Sequence, residues 1–114
     1  MKKVVNTADL FCGAGGATTG LELALADLGL RGCGIAVNHW KVAIASHQAN
    51  HPATRHLCAA VESLVPAEVV PGGNLDVLWA SPSCTHHSRA LGGRPRANQL
   101  RAQPDLILSW LDQL

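Results

Sequence analysis

The sequence has no run of about eighteen consecutive apolar residues, the length that a membrane-spanning helix needs, so no membrane span is expected. We also expect no secretory signal, because no apolar segment follows the Met-Lys-Lys start. We therefore expect a cytoplasmic protein, whose thiols stay reduced. The four cysteines are scattered along the chain and are poor candidates for disulfides (Cys12, Cys33, Cys58 and Cys84).

Charged residues are also scarce. They make up 15% of the chain, against 47% hydrophobic residues, a balance typical of a globular rather than a disordered protein. No internal repeat or low-complexity tract is present, and 114 residues form one domain at most. The net charge of +1 favours no class of partner. From Arg89 to Arg101 the chain holds four arginines and no acidic residue, which suits contact with phosphates and equally a solvated loop.

Short apolar segments alternate with helical patterns along the chain. They predict strands at 4–11, 32–37, 56–61 and 75–80, and helices at 17–28, 41–50 and 104–114. Gly29 is placed to end the first helix, and the residue before Pro52 ends the second. This alternation is typical of an α/β fold with a mostly parallel sheet and helices on its faces. Because no strand follows the last helix, we expect only the first half of a doubly wound fold.

Two turns after predicted strands carry the candidate ligand-binding residues. The first covers residues 11–16 (FCGAGG), where the glycines permit a tight turn and the close approach of a ligand. Its G-x-G-G spacing lacks the third glycine of the dinucleotide fingerprint, which argues against NAD. The second is Asn38-His39-Trp40, where the indole either stacks on a purine or packs in the core.

The fourth predicted strand breaks at Ser81-Pro82-Ser83 and leads directly to Cys84. Proline cannot donate to a strand ladder, so it marks the end of the strand. A thiol placed there lies at the carboxyl edge of the sheet, where open α/β sheets bind their ligands. We therefore predict that Cys84 is a nucleophile. Since a free thiol has a pKa of about 8.5, it needs a positive group to ionise, and His86, His87 or a nearby arginine would supply one.

These motifs resemble those of the DNA cytosine-5 methyltransferases, over almost the whole chain. DLFCGAGG at 9–16 is similar to the family's DLF-x-G-x-GG motif, which wraps S-adenosylmethionine. Residues 76–85 are similar to its D-L-L-x-GG-x-PCQ motif, which places Cys84 on the catalytic cysteine. The resemblance implies a Rossmann-like, S-adenosylmethionine-dependent methyltransferase fold that acts on cytosine flipped out of DNA. It also implies a cofactor site made of Phe11, Gly13, Ala14, Gly15, Gly16, His39, Trp40 and Val61.

The chain departs from the family pattern at several positions. Ser83 replaces the proline before the cysteine, and Thr85 replaces a glutamine. His39 stands where the family has an acid that recognises the ribose, and Ala60 where it has an aspartate that reads the adenine amino group. Loss of one hydrogen-bond acceptor costs about 1 kcal/mol, so we expect weakened affinity for the cofactor.

Three further parts of the family's catalytic domain are expected after Leu114. They are the E-N-V strand, whose glutamate protonates cytosine, the target-recognition region and the C-terminal helix. We therefore expect residues 1–114 to be the N-terminal part of a catalytic domain, inactive unless a second polypeptide supplies the rest. The alternatives are a fragment or split-enzyme half that acts as a binding module, and an RNA cytosine-5 methyltransferase. The candidate zinc ligands lack the paired spacing that zinc sites usually show, so we predict no metal. These candidates are Cys58, His56, Cys84, His86 and His87.

The remaining cysteines, histidines and tryptophans are given structural roles. We expect Cys12, Cys33 and Cys58 to be small buried hydrophobic residues. The other three histidines are assigned to the surface or to helix ends (His47, His51 and His56), and the other two tryptophans to the core (Trp79 and Trp110).

Overall fold

The computed structural model of the protein describes residues 3–82 and 103–114. Its sheet has four strands in the order β3-β2-β1-β4, and all neighbouring pairs are parallel. The strands are β1 (Val4–Leu10), β2 (Arg31–Asn38), β3 (Arg55–Cys58) and β4 (Val77–Ala80). The α/β class and the parallel sheet predicted from the sequence are confirmed.

Helices connect the strands, as the alternating pattern predicted. They are α1 (Gly16–Asp27), α2 (Lys41–Asn50) and the short α3 (Pro66–Val69), and 3-10 turns lie at Val61–Ser63 and Pro71–Gly73. α1 ends where Gly29 adopts a φ of +73°, which lets the amide of Leu30 donate back to the carbonyl of Leu25 at 2.8 Å. β3 is shorter than predicted, because Val61 begins a 3-10 turn instead of continuing the strand.

The last helix, α4 (Gln103–Asp112), belongs to a separate compact unit from residues 1–81 and is described by itself. Asp105 lies in its first turn, where a negative charge suits the helix dipole. Trp110 is buried, as predicted, whereas Leu108 and Leu111 are exposed. Among the residues described, no helix is both long and apolar enough to cross a membrane.

The sheet has a polar layer on one face and an apolar layer on the other. Asp9 of β1 contacts α1 and His56 of β3 contacts α2, so both helices cover the same face. The opposite face carries four buried apolar side chains of the two central strands (Ala8, Leu10, Ile35 and Val37). The order of the strands reverses between β1 and β4, because the chain winds from β1 to β3 on one side and returns to the other. In open α/β sheets the carboxyl ends at such a reversal form the ligand crevice.

Several predictions of burial are wrong. Cys33 and Cys58 are exposed, whereas Cys12 is buried as expected. Trp79 is 53% exposed, since β4 is the outermost strand of the described sheet. His47 and His51 lie at the end of α2, one of the two placements expected, but both are buried and neither is at the surface.

Candidate functional site

Three segments leave the sheet at its carboxyl edge and are tied there by backbone hydrogen bonds. The amide of Cys12 donates to the carbonyl of Val37 at 3.0 Å, which holds the glycine turn (residues 11–16) against the end of β2. The amide of Ala59 donates to Asn38 at 3.1 Å, and that of Ser81 to Leu10 at 3.2 Å. The glycine turn therefore lies between the segment that follows β2 and the segment that leads away from β4.

The glycine turn has an unusual backbone. Phe11 has a φ of +58°, a left-handed conformation that costs a bulky residue about 1–2 kcal/mol, and Gly13 and Gly15 have φ values of +56° and +109°. Strain of this kind is concentrated at ligand sites. A Cβ atom on Gly13 or Gly16 would meet no atom of another described segment within 4 Å, so the described residues leave the outer side of the turn open. The turn therefore has room for a ligand close to its backbone.

The N-terminus of α1 adds a positive electrostatic potential to this edge. The helix begins at Gly16, and the first N–H groups of a helix have no partner inside it. No acidic residue in the first turn of α1 offsets the positive end of the helix dipole. An anionic group is favoured at such a helix start.

The second predicted binding segment lies at the end of β2. The side-chain oxygen of Asn38 accepts a hydrogen bond of 2.8 Å from the amide of Trp40, which fixes the start of α2. Trp40 is 60% exposed, so of its two interpretations packing in the core is excluded. His39 is exposed beside it. The indole face of Trp40 is thus accessible to a planar ligand.

Of the remaining predicted site residues, one is buried and the others lie outside the described residues. Val61 begins a 3-10 turn and its side chain is 2% exposed, so it belongs to the core. Cys84, His86 and His87 lie outside the described residues. These are three of the five candidate zinc ligands. The described chain reaches Ser81 and Pro82, and Ser81 is anchored to β1 three positions before Cys84. The role of Cys84 as a nucleophile stays a prediction.

A buried chain of polar side chains lies beneath the glycine turn and was not predicted. The hydroxyl of Thr18 donates to the Asp9 carboxylate at 2.8 Å and lies 3.0 Å from Nε2 of His47, while Nδ1 of His47 lies 2.7 Å from Nε2 of His56. Because the proton of Thr18 goes to Asp9, Nε2 of His47 must carry its own proton. Nδ1 of a neutral His47 then accepts from His56. The four groups form one directed hydrogen-bond chain from β3 to β1.

Burial sets the protonation of these groups. It lowers the pKa of His47 to about 4, with further lowering by the neighbouring His56 and His51, and this agrees with the neutral ring that the hydrogen bonds require. Burial also raises the pKa of the Asp9 carboxyl, although the Thr18 hydrogen bond and the charge of His51 oppose the change. Oδ1 of Asp9 has no hydrogen-bond partner among the described residues.

The same burial excludes Cys12 as a nucleophile. Loss of contact with water, together with the negative charge of Asp9, raises the pKa of its thiol to about 12. A thiol with such a pKa holds almost no thiolate at neutral pH, and the thiolate is the reactive form. Cys12 instead packs with Ala36 and Ile44 in a small apolar cluster.

The family model of the C-5 cytosine-specific DNA methylases matches residues 5–107. The match begins in β1 and includes the glycine turn, the segment after β2, Ser81 and Cys84. No curated protein matches the chain.

Proposed function

The chain belongs to the C-5 cytosine-specific DNA methylases, and on this basis we propose that it acts in the transfer of a methyl group from S-adenosylmethionine to carbon 5 of cytosine in DNA. The observation that supports this most strongly is the family match over residues 5–107, which contains every residue of the proposed site. The sheet topology gives separate support, because the glycine turn and the segment that leads to Cys84 follow adjacent strands at one edge.

The glycine turn is the proposed binding site of the cofactor, through Phe11, Gly13, Ala14, Gly15 and Gly16. The residues present fit this ligand in two respects. The open space beside Gly13 admits a ligand close to the backbone, and the start of α1 suits its carboxylate. When bound, S-adenosylmethionine supplies a methyl group on a sulfonium, from which it leaves readily.

The segment after β2 is proposed to bind the adenosine part of the cofactor. The exposed indole of Trp40 offers a face for the adenine, and His39 takes the position beside the ribose. Val61, whose side chain is buried, is proposed to border the adenine from the core side. The backbone hydrogen bond from Ala59 to Asn38 keeps the segment before Val61 next to the end of β2.

Cys84 is the proposed nucleophile. Its thiolate adds to carbon 6 of a cytosine that has left the duplex, and carbon 5 then becomes nucleophilic enough to accept the methyl group. Loss of the proton from carbon 5 and elimination of the thiolate restore the aromatic ring. Of the cysteines in the described residues, Cys12 is no competitor, because burial raises the pKa of its thiol to about 12.

Covalent trapping tests the role of Cys84. The assay starts from a wild-type preparation that methylates DNA. The Cys84→Ser variant, prepared in the same way, is expected to form no covalent complex with DNA that contains 5-fluorocytosine. Cys33→Ser is the matched control, because this thiol is exposed on β2 and has no proposed role. Cys33→Ser is expected to retain the complex, and a complex that survives in Cys84→Ser contradicts the assignment. The same assay with an RNA substrate tests the alternative polymer.

Calorimetric titration of the 114-residue chain with S-adenosylhomocysteine tests the cofactor site separately. Saturable binding is expected, and its absence contradicts the proposed site. Methyl transfer assayed with the chain alone and with added candidate partner polypeptides tests the prediction that a second polypeptide is needed.

A further inference from the structure

His51, which follows α2, packs directly against the glycine turn. Its side chain is 5% exposed, and Nε2 lies 3.2 Å from the carbonyl oxygen of Gly15 and 2.9 Å from the hydroxyl oxygen of Thr19. The other ring nitrogen, Nδ1, lies 3.1 Å from a carboxylate oxygen of Glu22. The imidazole therefore joins the end of α2 to both the turn and the first half of α1.

Hydrogen-bond accounting places a proton on Nε2. Thr19 donates both its hydroxyl and its amide to the carbonyl of Gly15, each at 2.9 Å. Because the single hydroxyl proton is used in this way, neither oxygen near Nε2 has a proton to offer the ring. Nε2 must be the donor in both contacts. The Gly15 carbonyl is thus held by the amide and hydroxyl of Thr19 and by His51.

The ring also explains the residue type at position 15. A Cβ atom there would lie 2.8 Å from Cδ2 and 2.9 Å from Nε2 of His51, so the imidazole occupies the space that a side chain would need. The φ of +109° at Gly15 is also one that other residues avoid. The ring can therefore pack this closely against the backbone only because position 15 is a glycine.

The direction of one backbone amide depends on this contact. The carbonyl of Gly15 and the N–H of Gly16 belong to the same planar trans peptide, so they point in opposite directions. The carbonyl points along α1 towards Thr19 and His51. The N–H of Gly16 consequently points out of the helix start towards the open side of the turn.

We propose that His51 is a positioning residue of the cofactor site: by holding the Gly15 carbonyl it directs the Gly16 N–H at the anionic end of the ligand. This inference rests on the proposed function, because it takes the glycine turn as the site of a nucleoside that bears an amino acid with an anionic carboxylate. His51 itself lies behind the turn and acts through the backbone.

Two variants of His51 separate positioning from simple packing. In His51→Gln the side-chain amide nitrogen reaches the position of Nε2, whereas in His51→Asn it reaches only that of Nδ1. We expect His51→Asn to raise the Kd for S-adenosylhomocysteine about tenfold and His51→Gln to change it less than threefold. Gln48→Asn is the matched control, since Gln48 is exposed in the last turn of α2, just before His51. Affinity of His51→Asn equal to that of the wild type would overturn the proposal, and so would equal losses in His51→Asn and His51→Gln.

A second measurement does not depend on the ligand. In ¹⁵N–¹H spectra, His51→Asn is expected to shift the Gly16 amide and to speed hydrogen exchange at Thr19, whose amide donates to Gly15. His51→Gln is expected to retain both signals. If the wild-type chain binds no S-adenosylhomocysteine, the proposed cofactor site fails, and these spectra still decide the positioning role. Unchanged Gly16 and Thr19 signals in His51→Asn would overturn it.

Discussion

Replacing Gly15 with alanine is expected to destabilise the fold more than any other glycine substitution in the turn. The backbone strain at a φ of +109° costs about 1–3 kcal/mol for a residue with a side chain. The added methyl group would also lie 2.8 Å from Cδ2 of His51 and 3.1 Å from Cδ2 of His47. Both rings are buried and hydrogen-bonded, so they cannot move away freely, and such overpacking costs about 1–3 kcal/mol more. We therefore expect a loss of about 2–6 kcal/mol, against a total stability of about 5–15 kcal/mol for a domain.

Two neighbouring glycines provide the controls for this experiment. Gly13→Ala has the strain of a φ of +56° but open space around the methyl group, so we expect a loss of about 1–2 kcal/mol. Gly16→Ala has open space and no positive φ, and alanine favours a helix start, so no loss is expected. Urea denaturation of the 114-residue chain, followed by circular dichroism, gives the three free energies of unfolding. If Gly15→Ala is no less stable than Gly13→Ala, the reasoning about the histidine rings is refuted.

Two further predictions concern pH and the adenine face. The free energy of unfolding is expected to fall by up to about 3 kcal/mol between pH 6.5 and pH 4. The pKa of His47 is about 4 in the folded chain and 6.5 in the unfolded chain, so only the unfolded chain takes up the proton in this range. Urea denaturation at several pH values should show a smaller fall in His47→Gln, and equal falls in both proteins would contradict this. Trp40→Ala is expected to weaken binding of S-adenosylhomocysteine about tenfold, as loss of one stacked base does. Trp79→Ala, a comparably exposed tryptophan, is expected to leave the calorimetric Kd unchanged, and equal effects of the two would remove Trp40 from the site.

The central elements of the fold were predictable because their signals are local. The apolar run of β1, the leucine spacing of α1 and the proline after α2 each act within a few residues of the structure they determine. Gly29 ended α1 in a left-handed conformation, as its position indicated. The glycine turn was placed correctly between β1 and α1 for the same reason.

The polar layer under the turn was not predictable in this way. His47 contacts Thr18, which is 29 positions away in the sequence, and its burial depends on that partner. A histidine without a visible partner is assigned to the surface or to a helix end; His47 does lie at a helix end, but it is buried there. The spacing of His47 and His51 is the one sequence signal for the cluster, because residues four apart lie on the same face of a helix. Trp79 shows the opposite error, since its apolar strand lies at the edge of the described sheet.

The support beneath the turn also determines how serious the departures from the family pattern are. His39 and Ala60 each replace an acceptor at the rim of the proposed site, and such a loss costs about 1 kcal/mol, or about fivefold in Kd. Ordering a free backbone costs about 1–2 kcal/mol for each residue, so a loose turn of several residues would lose far more affinity. Hydrogen bonds from Cys12, Thr19 and His51 fix the turn on folding, so this cost does not fall on binding. Gly15→Ala should accordingly weaken binding of S-adenosylhomocysteine more than Trp40→Ala does, and the reverse order would show that the rim, not the supported turn, carries the affinity.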